Sequence, residues 1–235
     1  QVVVLNGDVL CDVDLGALQA AIPVGGAAMV LRAHQRDATD KYGIVATDQE
    51  DRVIDLKKMA VTDPVGTTRW DSHFTGIHGL DRRVLDRVPS GFGCIVRTAY
   101  LELVPERTLV AVRHDGVWLD VGDPHAYLET NLAVLRGQVV LHLDPMQRAE
   151  WWTRRGESHP VWATDIAGAV WLGKAISLGE NVRLEDVVVG DGATIPEGSE
   201  LNECIVWAGA TVPAGKWSRC IFYDNEILEI GYSHS

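Results

Sequence analysis

Val2-Val3-Val4-Leu5-Asn6-Gly7-Asp8 is a run of four aliphatic residues that ends in a polar turn and a carboxylate. A continuous apolar run is how a strand buried on both faces reads, so the segment is expected inside a sheet with a neighbour on either side. A domain rarely opens on its central strand, which leads to the expectation that part of the sheet comes from upstream. Trp118-Leu119-Asp120-Val121-Gly122 has the same form: a short carboxylate closes an apolar run beside a glycine. Glycine lets a ligand approach the backbone. Two hard oxygen ligands of this kind, Asp8 and Asp120, suit Mg²⁺ carrying a nucleotide's phosphates. Asp also opens ordinary turns, which is the plainer reading of both positions.

Outward from this run, Asp14 is placed to cap a short helix, Leu15 to Ala21, which Pro23, Gly25 and Gly26 end. Ala27 to Arg32 follows as a buried strand, so the segment reads strand–helix–strand, the unit of a parallel sheet. Tyr42 to Thr47 and Arg52 to Leu56 flank a polar turn and predict a hairpin. Phe74 to Leu80 predicts a strand, Asp81 to Val88 a capped helix, and Ile95 to Val104 another helix. Thr108 to Arg113 and Val117 to Asp120 predict a second hairpin around Asp115-Gly116. Asp123-Pro124 opens a helix to about Leu135, with Pro124 at its first position. The expected organisation is a domain over 1–137, a connector over 138–165 and a repeat tail over 166–235.

The tail changes period. Ile176, Val182 and Val188 are six apart; so are Ile195 and Leu201, and Val206 and Val212. Turn glycines recur between them, at 192 and 198 and at 209 and 215. A branched residue every six positions, each pointing inward and stacking on the next coil, is the pattern of a hexapeptide β-helix. A small meander of strands is the plainer alternative. The apolar segment Trp217 to Tyr232 is suited to cap such a stack or to meet another subunit.

Composition bounds the classes. The chain has 235 residues, 46% hydrophobic and 23% charged, with a net charge of −12. No basic stripe is present, which argues against nucleic acid as a partner. No apolar run approaches the ~18 residues of a membrane span, and no signal peptide is visible. Cys11, Cys94, Cys204 and Cys220 form neither a CxxC pair nor a zinc spacing. Free thiols in a reducing, cytoplasmic setting are the expectation. Eight tryptophans, including Trp151, Trp152, Trp162, Trp171, Trp207 and Trp217, read as packing or interface anchors.

Taken together and in order, Leu5-Asn6-Gly7-Asp8, Lys41-Tyr42-Gly43-Ile44-Val45, Phe74-Thr75-Gly76-Ile77-His78, Ile95-Val96-Arg97 and Trp118-Leu119-Asp120-Val121-Gly122-Asp123-Pro124, followed by a hexapeptide tail, resemble the sugar-1-phosphate nucleotidyltransferases, or nucleotide-sugar pyrophosphorylases. The likeness is closest to the mannose-1-phosphate guanylyltransferase-like branch. The resemblance implies an α/β fold: a Rossmann-like nucleotidyltransferase sheet, incomplete at its N-terminus, followed by a short left-handed β-helix. It implies a nucleoside triphosphate and a sugar 1-phosphate as substrates and Mg²⁺ as cofactor. It gives Asp8 and Asp120 the metal-binding, catalytic roles. It gives Asn6, Gly7, Tyr42, Gly43, Thr75 and Gly76 to the substrate, and Lys58 to the sugar phosphate. It also implies a homo-oligomer.

Two departures stand out. The segment Leu56-Lys57-Lys58-Met59 lacks the Glu and Pro that flank the family's lysine, and a lysine cannot accept the hydrogen bonds a Glu takes from sugar hydroxyls. The family's Gly-rich, Arg- and Lys-bearing phosphate loop does not occur among the 235 residues; Gly25-Gly26 has no nearby Lys. An upstream segment or partner chain completing the sheet is therefore expected. The alternative is a non-catalytic regulatory or assembly subunit of such an enzyme. An acyltransferase tail is disfavoured, since residues 176 to 222 contain no His to act as base. His78 reads more simply as a packing residue than as a catalytic one, and His125 as an exposed residue at a helix start.

Overall fold

A computed structural model of the chain describes residues 1–33, 42–62, 70–139 and 164–231. The chain divides into two compact units, Gln1–Trp118 and Leu119–Ser235. The division falls ahead of the boundary expected after 137. The expected connector, Lys41, Trp151, Trp152, Trp162 and Tyr232 lie wholly or largely outside the described residues.

The first unit runs β1 (Val2–Leu5), β2 (Val9–Cys11), α1 (Leu15–Ala21), β3 (Ala27–Ala33), β4 (Val45–Thr47), β5 (Val53–Leu56), β6 (Ala60–Val61), β7 (Trp70–Leu80), a 3₁₀ helix (Arg82–Arg87), a 3₁₀ turn (Ile95–Arg97), α2 (Ala99–Leu103) and β8 (Leu109–Arg113). The main sheet has the order β6-β5-β4-β7-β3-β8, with β1 also on β7. The eleven-residue β7 is its spine. Its first half pairs with β4 (Val45↔Ser72) and its second half with β1 (Val2↔Leu80), while β3 pairs along its other edge. Side chains of β3 alternate between two cores. Met29 and Leu31 join Leu56, Tyr100 and Leu103 on one face, and Ala28 and Val30 join Leu18, Ile22 and Ile77 on the other.

Three expectations are corrected here. β1 and β3 are not neighbours: β7 lies between them, antiparallel to both. Gly79 lets α1 pack directly on β7, because a Cβ there would meet Ile22 Cδ1 at 2.6 Å. Nor is β1 buried on both faces. Among the described residues its partner in the sheet is β7 alone, Val3 packs under α1, and Val2, Val4 and Leu5 are 37%, 37% and 46% exposed. The third correction concerns the second hairpin. The strand at Leu109–Arg113 forms, but it pairs parallel to β3, and His114 N–H continues that ladder to the Leu31 carbonyl. The Asp115-Gly116 turn is drawn elsewhere: Asp12 N–H donates to the Val117 carbonyl, and Asp12 Oδ1 lies 3.3 Å from His114 Nε2.

The first hairpin forms as expected, with Val45 opposite Leu56. Asp48 holds its turn by accepting from the backbone N–H groups of Glu50 and Arg52. The helix expected over Ile95 to Val104 is broken at Thr98, whose hydroxyl donates to the Cys94 and Ile95 carbonyls and competes with the helical ladder.

A short strand, β9 (Trp118–Asp120), spans the division, and α3 (Pro124–Leu135) follows in the second unit. Asp123 caps α3 by accepting from Ala126 N–H, with Pro124 in the first turn. Beyond the connector come β10 (Thr164–Leu172), β11 (Ser177–Leu178), β12 (Val182–Val189), β13 (Thr194–Ile195), β14 (Glu200–Asn202), β15 (Ile205–Val206), β16 (Lys216–Ser218), β17 (Cys220–Tyr223) and β18 (Glu226–Glu229). They stack in parallel as a β-solenoid of about three turns: Asp165↔Arg183↔Glu200↔Lys216 form one ladder and Val188↔Ile205↔Ile221 another. The β17–β18 hairpin, antiparallel, ends the ladder.

Residues with positive φ mark the corners. Ala175, Asn181, Asp186 and Gly192 follow one another at six, five and six residues, and Gly198, Glu203 and Gly209 at six, five and six again. One side of each coil is therefore a residue short of a hexad. Val182, Ile195, Leu201, Val206 and Val212 fill the coil, as expected. Val188 does not: the left-handed Asp186 resets the alternation, so Val187 and Val189 turn inward. Val188 instead joins the cluster outside the coil, where Leu128, Leu132 and Leu135 of α3 meet Ile205 and Ile221.

Candidate functional site

The site-forming end of the first unit is built around Gly76, on β7. Asn6 N–H donates to the Gly76 carbonyl at 3.2 Å, and the Asn6 side chain lies directly over Gly76. A Cβ on Gly76 would come within 2.7 Å of Asn6 Cγ, and φ there is +80°. Only glycine satisfies both demands. The structure thus brings together Asn6 and Gly76, both of which the resemblance gave to the substrate. Gly7 faces open space, and Asp8 beyond it is exposed.

Thr75 is buried, and its hydroxyl donates to the Val30 carbonyl at 2.8 Å. Its own carbonyl accepts from Trp118 Nε1 at 2.9 Å, and Arg32 Nη1 donates to the Trp118 carbonyl at 3.1 Å. Trp118 is held in this way against Tyr42 and His73, with ring centroids 5.5 and 5.3 Å away, and Tyr42 stacks on His73 at 5.3 Å. Of this aromatic trio only Tyr42 was given to the substrate from sequence, and Trp118 entered only as part of the motif that ends in Asp120. His73 carries no local signal; the length of β7 is what brings it alongside.

Gly43 has φ +69°, and the Cδ of Lys57 lies 3.3 Å from where its Cβ would be. Lys57 and Lys58 both have positive φ, 51° and 59°, an uncommon pair outside glycine. The turn is held by Lys57 N–H on the Ile44 carbonyl and by Lys58 N–H on Asp55 Oδ1. This geometry points the two lysines differently. Lys58, the residue the sequence assigned to the sugar phosphate, is exposed; Lys57 is half-buried across Gly43. Burial pushes the Lys57 ammonium below the ordinary lysine range; the nearby Cys94 opposes that shift and Arg97 adds to it.

His78 is buried, in contact with the Tyr100 hydroxyl through Nδ1 and edge-on to Phe74. Burial lowers it to about 4, so it is a neutral packing residue at physiological pH. His125 is partly exposed on α3, with Nε2 3.9 Å from Glu129.

Asp120 stands at the end of β9, and its Oδ1 accepts from Gly122 N–H at 3.2 Å. Asp8 belongs to the first compact unit and Asp120 to the second. Among the described residues no group of three or more His, Cys, Asp or Glu side chains is placed to hold a metal by protein ligands alone.

A sequence profile of the family described as nucleotidyl transferase matches residues 1–137, more than half of the chain. The chain belongs to the nucleotidyl transferase family. Within that match lie the Asn6–Gly76 and Gly43–Lys57 contacts, the aromatic trio and both carboxylates. Similar curated proteins include a mannose-1-phosphate guanylyltransferase of Mycobacterium tuberculosis, 26% identical over 195 residues, covering 82% of this chain and 53% of that protein. A probable mannose-1-phosphate guanylyltransferase 2 of Arabidopsis thaliana is 26% identical over 182 residues, covering 76% and 44%. A probable mannose-1-phosphate guanylyltransferase 3 of Oryza sativa is 25% identical over 197 residues, covering 82% and 48%. This nucleotidyl transferase chain spans about half the length of the curated relatives it matches. No helix among its described residues is long and apolar enough to cross a membrane.

Proposed function

We propose that the protein transfers a nucleotidyl group from a nucleoside triphosphate to a sugar 1-phosphate. A phosphate oxygen of the sugar 1-phosphate attacks the α-phosphorus in line. A new P–O bond forms, the bond from the α-phosphorus to the bridging oxygen breaks, and pyrophosphate leaves. The family match over residues 1–137, which takes in every motif of the site, carries this reading. The names of the relatives make GTP and mannose 1-phosphate the first substrate pair to test.

Such a reaction leaves the protein little covalent work. It must hold two mutually repelling anions in line and neutralise charge as it develops. In this reading a lysine of the Lys57-Lys58 turn meets the sugar phosphate, and the half-burial of Lys57 across Gly43 favours it over the exposed Lys58. Gly43 and Gly76 let the sugar rest against bare backbone, and Asn6, fixed over Gly76, offers an amide to a hydroxyl. Thr75 contributes position through its backbone, its hydroxyl being committed to Val30. Asp8 and Asp120 would hold Mg²⁺, which when bound supplies positive charge to the phosphates.

The exposed aliphatic residues of β1, whose partner among the described residues is β7 alone, support a further strand at that edge, from an upstream segment or a partner chain, which would also bring the Gly-rich phosphate loop. The reading further includes a cytoplasmic setting and self-association through the solenoid. A second reading, a non-catalytic regulatory or assembly subunit, is favoured by the Lys57-Lys58-Met59 segment and by the absence of a basic Gly-rich loop from the 235 residues.

Pyrophosphate release from the full gene product, across a panel of triphosphates and sugar 1-phosphates, separates the two. Turnover confined to a few pairs is expected. Tight binding of nucleotide sugar with no release from any pair establishes the regulatory reading instead.

A further inference from the structure

The outer face of β10, β12, β14 and β16 carries two columns of side chains. One is Asp165, Arg183, Glu200 and Lys216, in register across the four strands. Its charges alternate: minus, plus, minus, plus. The second, two residues along each strand, is Ala167, Glu185, Asn202 and Ser218. A shallow furrow runs over this face and is lined by both columns. Within the chain the charges pair, Arg183 Nε with Asp165 Oδ2 at 3.1 Å and Lys216 Nζ with Glu200 Oε1 at 2.9 Å, yet the charged groups remain well exposed. Exposed pairs of this kind add little to the stability of a single chain.

The order of charges has a geometric consequence. Two identical faces can meet about a two-fold axis that lies in the interface, either along the solenoid or along the strands. An axis along the solenoid keeps the order of the coils, so each charge meets its own copy and all four rungs repel. An axis along the strands reverses the order. Asp165 then meets Lys216 of the second copy and Arg183 meets Glu200, so all four rungs attract. The second column obeys the same operation: Glu185 meets the Asn202 amide, and small Ala167 meets small Ser218. Electrostatic complementarity of this sort selects register and partner.

We propose that this face is a self-association surface on which a second copy of the chain docks about a two-fold axis parallel to the strands. The proposal rests on the self-association reading above and specifies its surface and symmetry.

Sedimentation of the whole chain, with Glu200→Arg and Arg183→Glu/Glu200→Arg variants, tests it. Glu200→Arg sets like charges on the two central rungs and is expected to give monomer. The double variant restores those rungs between copies while making neighbours alike within each chain, so it is expected to recover the dimer. A role confined to intrachain pairing makes the opposite demand, that the double variant be the worse of the two. Should the double variant fold poorly, an Ala167→Cys/Ser218→Cys variant under mild oxidation decides: the expected intermolecular disulfide joins 167 to 218, and links of 167 to 167 overturn the axis. A dimer that persists unchanged in Glu200→Arg overturns the face but leaves self-association standing. A monomeric wild type at high concentration overturns both.

Discussion

Lys57 lies across Gly43, its Cδ 3.3 Å from the place a Cβ on that glycine would occupy, while the adjacent Lys58 points to solvent. The contact favours the first lysine of the pair for the phosphate-binding role proposed above. In the complete enzyme, Lys57→Ala is expected to raise KM for the sugar 1-phosphate by roughly 10-fold or more, the scale of one lost charge-assisted contact. Lys58→Ala is expected to change it by less than about 3-fold, as for an exposed, solvated lysine. Steady-state kinetics with both variants checks the assignment; equal effects would remove it.

Gly76 is constrained twice, by φ +80° and by the Asn6 side chain above it. Gly76→Ala is expected to destabilise the fold by about 1–3 kcal/mol, from left-handed strain plus the clash. Asn6→Ala in the same chain relieves the clash but not the strain, so the double variant should recover part of the loss. Chemical denaturation of the four species measures this, and a fully additive cycle would show that the two residues do not meet.

The corner of the solenoid facing α3 is an ion network. Arg136 binds Asp186 at 2.7 Å and Glu203 at 2.5 Å, and the buried Arg219 binds Glu203 at 3.0 Å and Glu129 at 2.5 Å. For Glu203, Arg136 is the first cause of a pKa below its ordinary 4.5; for Asp186, Arg136 and Ala169 N–H together outweigh desolvation and hold it below 3.8. Depressed carboxylates contribute stability that is fully present above these ordinary values and is lost as pH falls through the folded ones. Stability is therefore expected to decline below about pH 4.5, and Arg136→Gln to flatten that limb. Arg219→Ala removes a buried guanidinium that pairs with the part-buried Glu203 and the exposed Glu129, and is expected to cost about 1–3 kcal/mol near neutral pH. Denaturation midpoints across pH check both.

His78 is lowered to about 4 by burial, so the unfolded chain binds one more proton than the folded chain between 6.5 and that value. The expected result is that the His78 imidazole stays neutral by NMR down to about pH 4 and that stability falls with pH through this window. A midpoint near the ordinary 6.5 would contradict the buried placement.

Much of the local structure was legible in the sequence, because its signals are local. Asp123 caps the helix that Pro124 begins, a signal carried by adjacent residues, and the inward residues Val182, Ile195, Leu201, Val206 and Val212 follow from their spacing. What the sequence could not settle depended on distant partners. Val2 to Leu5 read as buried because the run is apolar, yet exposure is decided by how many neighbours a strand has. The insertion of β7 between β1 and β3 is a pairing between distant segments, as is the packing of Ile22 on Gly79, residues 57 positions apart. Val188 turned outward because one left-handed residue, Asp186, shortens a side of the coil. Likewise Lys57 and Lys58 look equivalent in sequence; two successive left-handed backbones make them differ.

The central claim, that Asp8 and Asp120 serve one charge-neutralising role in nucleotidyl transfer, is tested most directly by pyrophosphate release from the complete enzyme carrying Asp8→Asn or Asp120→Asn. Each is expected to lower kcat by roughly a hundredfold or more, because stabilisation of transition-state charge is lost, with secondary structure unchanged. Unchanged turnover in either variant would contradict it.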